Sequence, residues 1–365
     1  MTESSSLLPK RLASIRSKLS LVKGEYFLVA ALGNVAYLSG FSGDAAWLLV
    51  GRRKAWLLTD PRFSEEAGED LAPGIGRFGT RAGVDDLAAL LKDVRARKLL
   101  VEDTVSCRVQ RQLLARLPGL NVDFIPGSVE ELRSRKDSGE LSKIRAAAAL
   151  TDRAFLRLVS AAVPAVTDHR LQAAVCAEIF EGGGSPAFEP IMAVGENSSR
   201  PHARARGLSL GPGTILLCDL GARLDGYCAD LSRTFCLGPP PPRFEEVHQA
   251  VADAQRTAID RLRPGLTGHE VDAAARGLLA ERGLGDYFGH GLGHGVGLDI
   301  HELPRLGPGS ADVVEEGMVV TVEPGVYIPG WGGVRIEDTV LVTGTGVEVL
   351  TLSGQHPPRS VSDRR

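Results

Sequence analysis

The first third of the chain alternates short apolar runs with turn residues, a pattern that predicts β-strands. An amphipathic stretch at 84–98 predicts a helix, and the strand-like run LLVED follows it at 99–103. These elements together predict a small α/β domain. The strands predicted before the helix span residues 25–30, 36–41, 46–51 and 54–60.

The pattern changes between residues 128 and 139, where the chain becomes polar. Asp137 and Glu140 have the spacing of a capping box, which predicts a helix that begins there. We therefore place a domain boundary after residue 134. The predicted domains are 1–134 and 135–356, followed by a polar tail at 357–365.

The second domain groups helices with long hairpins instead of alternating them regularly with strands, which predicts an α+β domain. Its predicted helices span residues 140–162, 168–181, 243–263 and 267–282. Its predicted strands span residues 187–193, 213–221, 227–237, 317–323 and 334–342.

Length and composition narrow the class of protein. A chain of 365 residues is long enough for two domains, and 42 basic against 45 acidic residues argue against a nucleic-acid or polybasic membrane binder. The five cysteines form no C-x-x-C pair, which argues against a disulfide framework and a zinc ribbon. The chain also lacks the long apolar run of a signal peptide or membrane span. We therefore expect a cytoplasmic protein with no membrane or nucleic-acid partner.

Two aspartates lie on the arms of a predicted hairpin around the tight-turn dipeptide Asp225-Gly226. A loop that begins at Leu224 would place Asp219 directly opposite Asp230. A loop that begins at Asp225 would make the two aspartates diagonal neighbours. In either register both carboxylates lie on one face of an apolar hairpin, where only a cation offsets their repulsion and their burial.

A second pair of acids repeats this arrangement, because Glu323 and Glu337 lie on two apolar arms around a glycine-rich turn near Gly330. Between the hairpins, the glycines of residues 288–304 allow the backbone to approach a site closely. Four carboxylates with one imidazole form an oxygen-rich ligand set suited to Mn, Co or Fe, and less selectively to Zn. The histidines of the glycine-rich run are His290, His294 and His301.

These acids and histidines, in this order and spacing, resemble the dinuclear metallopeptidases that include aminopeptidase P, prolidase and methionine aminopeptidase. The segments NVAYLSGFSGDAAWLLV and LLTDPRFSEEA resemble the amino-terminal domain of the aminopeptidase P and prolidase branch. The resemblance implies an α+β pita-bread catalytic domain, a smaller α/β creatinase-type amino-terminal domain and a homodimer. The metal ligands that it implies are Asp219, Asp230, His294, Glu323 and Glu337.

The resemblance also implies a metal-dependent exopeptidase that cleaves the Xaa-Pro bond at the amino terminus of dipeptides or short peptides. Attack would come from a hydroxide that bridges two divalent metal ions, with Mn the first expectation and Co or Zn as alternatives. Glu323 would take the proton of the attacking water and pass it to the leaving nitrogen. The histidines implied to bind substrate and to stabilise the tetrahedral intermediate are His202, His290 and His301.

Two arginines complete the predicted site. Arg305 follows the HELP segment, at a position where prolidases can place an arginine for the carboxylate of a dipeptide. Arg335 lies two residues before Glu337 on the same strand face, so we predict that it orients the carboxylates. The alternatives are a broader-specificity aminopeptidase, a creatinase-like C–N hydrolase and a non-catalytic peptide-binding domain on the same fold.

Overall fold

The computed structural model describes residues 3–354, apart from residues 64, 66, 68–70 and 79–82. The chain divides into two compact units, Met1–Arg133 and Ser134–Arg365. The polar tail predicted at 357–365 lies outside the described residues. Among the helices of the described residues, none is long and apolar enough to cross a membrane.

The first unit combines a mixed β-sheet with helices. Its strands are β1 (Glu25–Val29), β2 (Ala46–Gly51), β3 (Ala55–Thr59), β4 (Ile75–Phe78), β5 (Lys98–Glu102) and β6 (Asn121–Ile125). Its described helices include α1 (Glu3–Lys18), α2 (Leu32–Ser39), α3 (Val84–Asp93) and α4 (Cys107–Arg116). The strand order is β4-β3-β2-β1-β5-β6, in which β2 pairs antiparallel with β1 and β3 and the other pairs are parallel.

The strand predicted at 36–41 is wrong, because most of these residues lie in helix α2. The first turn of α2 has no side-chain cap of its own. Instead, the Glu102 carboxylate on β5 accepts hydrogen bonds from the N–H groups of Ala30 at 2.7 Å and Ala31 at 2.8 Å. Because this carboxylate comes from a residue 71 positions beyond Ala31, no local pattern indicates the helix.

The helix predicted at 84–98 is too long, since α3 ends at Asp93 and Arg95 adopts a left-handed backbone with a φ of 54°. The remaining strand predictions in this unit agree with β1, β2, β3 and β5 to within one residue at each end. Short apolar runs bounded by turn residues therefore predicted these four strands correctly.

The second unit begins within the short helix α5 (Glu130–Ser134). Its longer helices are α6 (Ser138–Ala161), α7 (Asp168–Glu181), α8 (Phe244–Arg261) and α9 (Gly268–Glu281), each within two residues of its predicted bounds. Its strands up to the second hairpin are β7 (Ser185–Pro186), β8 (Ile191–Val194), β9 (Ile215–Leu220), β10 (Ala222–Leu224), β11 (Tyr227–Cys228), β12 (Leu231–Cys236), β13 (Gly293–Gly295) and β14 (Glu302–Leu306). The others are β15 (Val319–Val322), β16 (Gly325–Ile328), β17 (Gly332–Arg335), β18 (Glu337–Val342) and β19 (Val347–Val349).

The predicted capping box of α6 is confirmed, because the Asp137 side chain accepts from the N–H of Glu140 and the Glu140 side chain accepts from the N–H of Asp137. Three strand predictions need correction. Only the end of 187–193 lies in a long-sheet strand, β8, while 227–237 and 334–342 are each divided into two strands. The divisions fall where each hairpin leaves the main sheet: β10 and β11 form a three-stranded sheet with β7, and β16 and β17 pair with each other.

The main sheet has the strand order β14-β13-β15-β18-β12-β9-β8, with β19 paired to β18, and its neighbouring strands are antiparallel. Apolar side chains of α8 and α9 form one buried cluster with the β15 and β18 side chains Val320 and Val340. Side chains of α6 and α7 form a second buried cluster with Leu216 on β9 and Leu231 on β12. These two clusters anchor the central strands, from which the candidate site is built.

Candidate metal centre

The five predicted metal ligands lie on or directly beside five neighbouring strands of the main sheet. His294 is in β13, Glu323 follows β15, and Glu337 begins β18. Asp230 directly precedes β12, and Asp219 is in β9. Because β13, β15, β18, β12 and β9 are consecutive in the sheet, residues separated by more than a hundred positions in sequence come together.

The first hairpin takes the second of the two predicted registers. Arg223 pairs with Cys228, and Ser232 pairs with Asp219, so the loop is Asp225-Gly226. Both loop residues have a positive φ, 48° for Asp225 and 84° for Gly226, as a tight two-residue hairpin turn requires.

The second hairpin is centred at Gly330, as predicted. Val322 pairs with Asp338, and Ile328 pairs with Gly332, so the two arms keep one register on both sides of the break at Ile336. The acids Glu323 and Glu337 lie at equivalent points of these two arms, next to the paired residues Val322 and Asp338.

Three of the predicted ligands form a compact group. One ligand atom from each of Asp230, His294 and Glu337 lies within 4.8 Å of the other two. Glu323 extends the group, because its Oε1 is 3.4 Å from His294 Nε2. Asp219 lies outside the compact group, and its Oδ2 is 2.6 Å from the Nη2 of Arg335.

The electrostatics of the group fit a divalent cation. Burial, together with repulsion from Asp219 and Glu323, raises the pKa of Asp230 well above its usual value. Burial, together with repulsion from Asp230, raises the pKa of Glu337 well above its usual value. Burial, together with repulsion from Asp219, raises the pKa of Glu323 to about 8. Several carboxylates cannot all ionise at such short separations without a compensating positive charge.

Two further observations support the fit to a metal. Among the described residues, the buried atom Asp219 Oδ1 has no hydrogen-bond partner, although such atoms are rarely left unsatisfied. Burial lowers the pKa of His294 to about 4, so the imidazole is neutral at pH 7 and its Nε2 is available as a ligand. The carboxylate and imidazole donors suit a divalent metal ion.

Arg335 contacts one of the predicted ligands directly and another through a serine hydroxyl. Its side chain is buried, and besides Asp219 it donates to the hydroxyl of Ser232 at 2.8 Å and to the hydroxyl of Tyr327 at 2.7 Å. Ser232 in turn donates to Glu337 Oε2 at 2.8 Å. The guanidinium thus contacts Asp219 on β9 directly and Glu337 on β18 only through the Ser232 hydroxyl.

The sequence reasoning missed Ser232, Thr321 and Tyr327. Thr321 donates to Glu323 Oε1 at 3.2 Å and accepts from the N–H of His294 at 3.1 Å. Ser232 and Thr321 each lie two residues from a predicted ligand on the same strand face, so the period-2 rule that found Arg335 would also have found them. Tyr327 lies on another strand pair and gave no such signal.

The other predicted histidines surround this group in different ways. The ring of His301 is exposed and packs edge-on against His294, with 4.3 Å between centroids. His290 is half-buried, its Nε2 lies 3.0 Å from the Tyr327 hydroxyl, and burial lowers its pKa to about 4. His202 is exposed.

Residues 142–344 match metallopeptidase family M24, over more than half of the chain. The chain belongs to this family. Residues 11–135 match the creatinase/prolidase N-terminal domain. The predicted family and the predicted fold class, a pita-bread catalytic domain after a creatinase-type α/β domain, are therefore confirmed.

Curated and solved relatives extend over nearly the whole chain. The Xaa-Pro dipeptidase of Pyrococcus furiosus is 35% identical over 324 residues, which cover 87% of this chain and 90% of the relative. The solved Xaa-Pro dipeptidase from Bacillus anthracis is 35% identical with a TM-score of 0.89, covering 96% of this chain and 99% of the other. The X-Pro aminopeptidase from Thermotoga maritima is 31% identical with a TM-score of 0.85, covering 94% and 99%. This M24 chain is therefore a hydrolase of the metallopeptidase type.

The glycines on either side of His294 let its strand pack closely in the M24 site. A Cβ on Gly295 would lie 2.1 Å from the carbonyl oxygen of Leu303, and a Cβ on Gly293 would lie 2.1 Å from that of Thr321. Backbone atoms cannot yield as a flexible side chain would. We expect Gly295→Ala to destabilise the protein by about 1–3 kcal/mol, in the range for overpacking, and to displace His294. Thermal unfolding and a metal titration measure the two effects.

Gly289→Ala is the matched control for this prediction. Gly289 is exposed, and among the described residues no atom lies within 4 Å of where its Cβ would be. We expect this variant to stay within about 0.5 kcal/mol of the parent. Equal stability of the two variants would contradict the close-packing argument.

Proposed function

We propose that this M24 chain is a metal-dependent exopeptidase that hydrolyses the Xaa-Pro bond at the amino terminus of dipeptides or short peptides. The observation that carries the proposal is the convergence of five ligand-type side chains from five neighbouring strands, with three of them within 4.8 Å. The Xaa-Pro specificity rests on the names of the relatives from Pyrococcus furiosus and Bacillus anthracis.

We propose that the five predicted ligands hold two divalent metal ions. The chemistry that bound divalent ions supply at such a site is activation of a water and polarisation of the peptide carbonyl. Manganese is the proposed metal, with cobalt and zinc as alternatives. The proposed ligands are Asp219, Asp230, His294, Glu323 and Glu337.

Side chains of the protein would supply proton transfer, oxyanion stabilisation and substrate contacts. Glu323 lies beside the cluster, and bound metal would keep its carboxylate ionised, so that it would accept the proton of the attacking water and release it to the leaving nitrogen. His301, exposed and packed on His294, would donate a hydrogen bond to the developing oxyanion. His202 and His290 would contact the substrate, with His290 beside Tyr327.

Arg335 is proposed to orient the ligands rather than to contact the substrate. Its ion pair with Asp219 and its link through Ser232 to Glu337 support this assignment. We also propose that the protein is a cytoplasmic homodimer that acts on small proline-containing peptides.

A second candidate function is an aminopeptidase that accepts longer peptides, which the similarity to the X-Pro aminopeptidase from Thermotoga maritima favours. A panel of three peptides, Ala-Pro, Ala-Pro-Ala and Ala-Ala-Ala, distinguishes the two functions. Each peptide is tested on protein stripped of metal and reloaded with Mn, Co or Zn. Cleavage of Ala-Pro alone identifies a dipeptidase, and cleavage of Ala-Pro-Ala identifies an X-Pro aminopeptidase. Cleavage of Ala-Ala-Ala would point to a broader aminopeptidase, and no metal-dependent cleavage would overturn the enzyme proposal.

Arg305 is proposed as the residue that binds the carboxylate of a dipeptide. It is exposed and pairs directly opposite His294 across β13 and β14, and directly opposite residues project to the same face of a sheet. We expect Arg305→Ala to raise KM about tenfold or more for Ala-Pro, the loss of one charged hydrogen bond, with a much smaller change for Ala-Pro-Ala. Steady-state kinetics on both peptides measure this difference.

Arg282→Ala serves as the control. Arg282 is also an exposed arginine, but it directly follows α9 and pairs with Asp253, which is not a predicted site residue. It should change neither KM. If Arg305→Ala affects the dipeptide and the tripeptide equally, the carboxylate-binding role is removed.

A further inference from the structure

A network of polar side chains is buried on the back of the strands that carry the ligands. Arg233 is 1% exposed, Asp338 is 5% exposed, and Gln255 is fully buried. Arg233 directly follows Ser232, and Asp338 directly follows Glu337, so strand alternation turns each toward the opposite face. A buried ion pair is weak evidence for stability, because apolar residues of similar volume often serve as well. We therefore expect the Arg233–Asp338 ion pair to have a role other than stabilising the fold.

Every nitrogen of the Arg233 guanidinium donates a hydrogen bond. Nη1 donates to the carbonyl oxygens of Ser232 and Glu337, and Nη2 donates to Asp338 Oδ1 at 2.7 Å. Nε donates at 3.2 Å to the carbonyl oxygens of Ser353 and of the following residue, Gly354. The rigid fork therefore joins the backbone of one predicted ligand to the carboxy-terminal segment that crosses the back of the sheet.

Asp338 extends the network to the neighbouring strand. Its Oδ1 also accepts from the Thr351 hydroxyl at 2.8 Å, and its Oδ2 accepts from Gln255 Nε2 at 2.8 Å. Gln255 lies on α8 and also donates to the carbonyl oxygen of Val322 at 3.3 Å. Because Val322 directly precedes Glu323, the network holds the backbone at both acids of the second hairpin.

We propose that Arg233 and Asp338 are positioning residues for the metal centre, an inference that rests on the metal site of the proposed function. They fix the backbone positions from which Glu323 and Glu337 project. Neither side chain contacts the ligand-bearing face, so their effect is transmitted through the carbonyl of Glu337 and, by way of Gln255, the carbonyl of Val322. A fold-stabilising role alone would affect stability and leave metal affinity unchanged.

The test measures Mn²⁺ binding by calorimetry to the full chain, with thermal unfolding of metal-free protein as the second readout. We expect Asp338→Asn and Arg233→Lys to weaken Mn²⁺ binding about 10- to 100-fold, the usual loss for an outer-shell partner. Val340→Ala is the matched control, because Val340 is fully buried on the same strand and the same face as Asp338 and belongs to the apolar cluster. It should lower the unfolding temperature and leave Mn²⁺ affinity unchanged.

The double variant Arg233→Met with Asp338→Leu removes both charges at once, so no unpaired charge remains buried. The single variants should lower the unfolding temperature, because each disturbs a buried charge pair. We expect the double variant to regain only part of that loss, because the carbonyl oxygens that Arg233 bonds lose their donor, and yet to bind Mn²⁺ weakly. Recovery of both properties would overturn the inference, as would single variants that bind Mn²⁺ as tightly as the parent. Failure of the parent chain itself to bind Mn²⁺ would instead overturn the metal site of the proposed function, and the inference with it.

Discussion

Asp230→Asn is expected to lower kcat/KM for an Xaa-Pro peptide by more than the 10- to 100-fold that loss of an outer-shell partner costs, because the change removes a proposed metal ligand itself. The variant should also lose at least one equivalent of bound metal. Asparagine has nearly the same shape, and its side-chain oxygen can still accept from the N–H of Leu231, so the hairpin should remain folded. Activity and metal content, measured on the same preparation, check both effects.

The same substitution has an opposite effect on the metal-free protein. Repulsion from Asp219 and Glu323 contributes to the raised pKa of Asp230, so a neutral side chain at this position relieves a like-charge contact. We therefore expect metal-free Asp230→Asn to unfold at a higher temperature than the metal-free parent at pH 7.5.

Asp225→Asn is the matched control on the same hairpin. Asp225 is exposed in the two-residue loop with a φ of 48°, a conformation that asparagine adopts readily. It should retain full activity and metal. Asp230→Asn that keeps its metal and its activity would contradict the assignment of the site.

Removal of the metal is expected to make the stability of the protein fall as pH rises. The folded pKa of Glu323 is about 8 against an ordinary 4.5, so folded protein binds more protons than unfolded protein between these values. The free energy of unfolding therefore declines with rising pH across this window, by about 1.4 kcal/mol per pH unit for each extra proton bound. The raised pKa values of Asp230 and Glu337 act in the same direction, whereas the pKa values of His290 and His294, lowered to about 4, oppose the decline below about pH 6.5.

Protein loaded with Mn²⁺ should lose this decline, because bound metal requires ionised ligands and displaces their protons. Unfolding temperatures at pH 7.0, 7.5 and 8.0, with chelator or with Mn²⁺, give the comparison above the range in which the two histidines titrate in the unfolded chain. Burial also raises the pKa of Glu102, in the first unit, to about 7, so the measurement should be made in a Glu102→Gln background. An equal pH dependence with and without Mn²⁺ would contradict the prediction.

The candidate site could be predicted largely because its parts are local. Asp-Gly turns, period-2 alternation and capping boxes each depend on residues within a few positions of one another. Both hairpins, the approximate centre of the second and the shared face of Asp219 and Asp230 followed from such patterns, and the register of the first hairpin was narrowed to two alternatives. The alternatives left open for the first hairpin differed by one residue in the loop, and the left-handed backbone of Asp225 and Gly226 distinguishes them.

The rest of the site depends on contacts between distant residues. The strand order places His294 beside the second hairpin although 29 residues separate it from Glu323, and no sequence period encodes that neighbour. Arg233 meets Ser353 across 120 positions, so a strand arginine that looks like a surface residue is fully buried.

The sequence by itself thus determined the chemical types of the ligands and the hairpins that present them, because turn geometry and alternation act within a strand pair. Only the tertiary structure decided which strands are neighbours, which face each polar side chain meets, and that residues 32–39 form helix α2, directly after two N–H groups that Glu102 binds. The physical reason is that burial and hydrogen-bond satisfaction are settled by whichever groups packing brings together, at whatever separation along the chain.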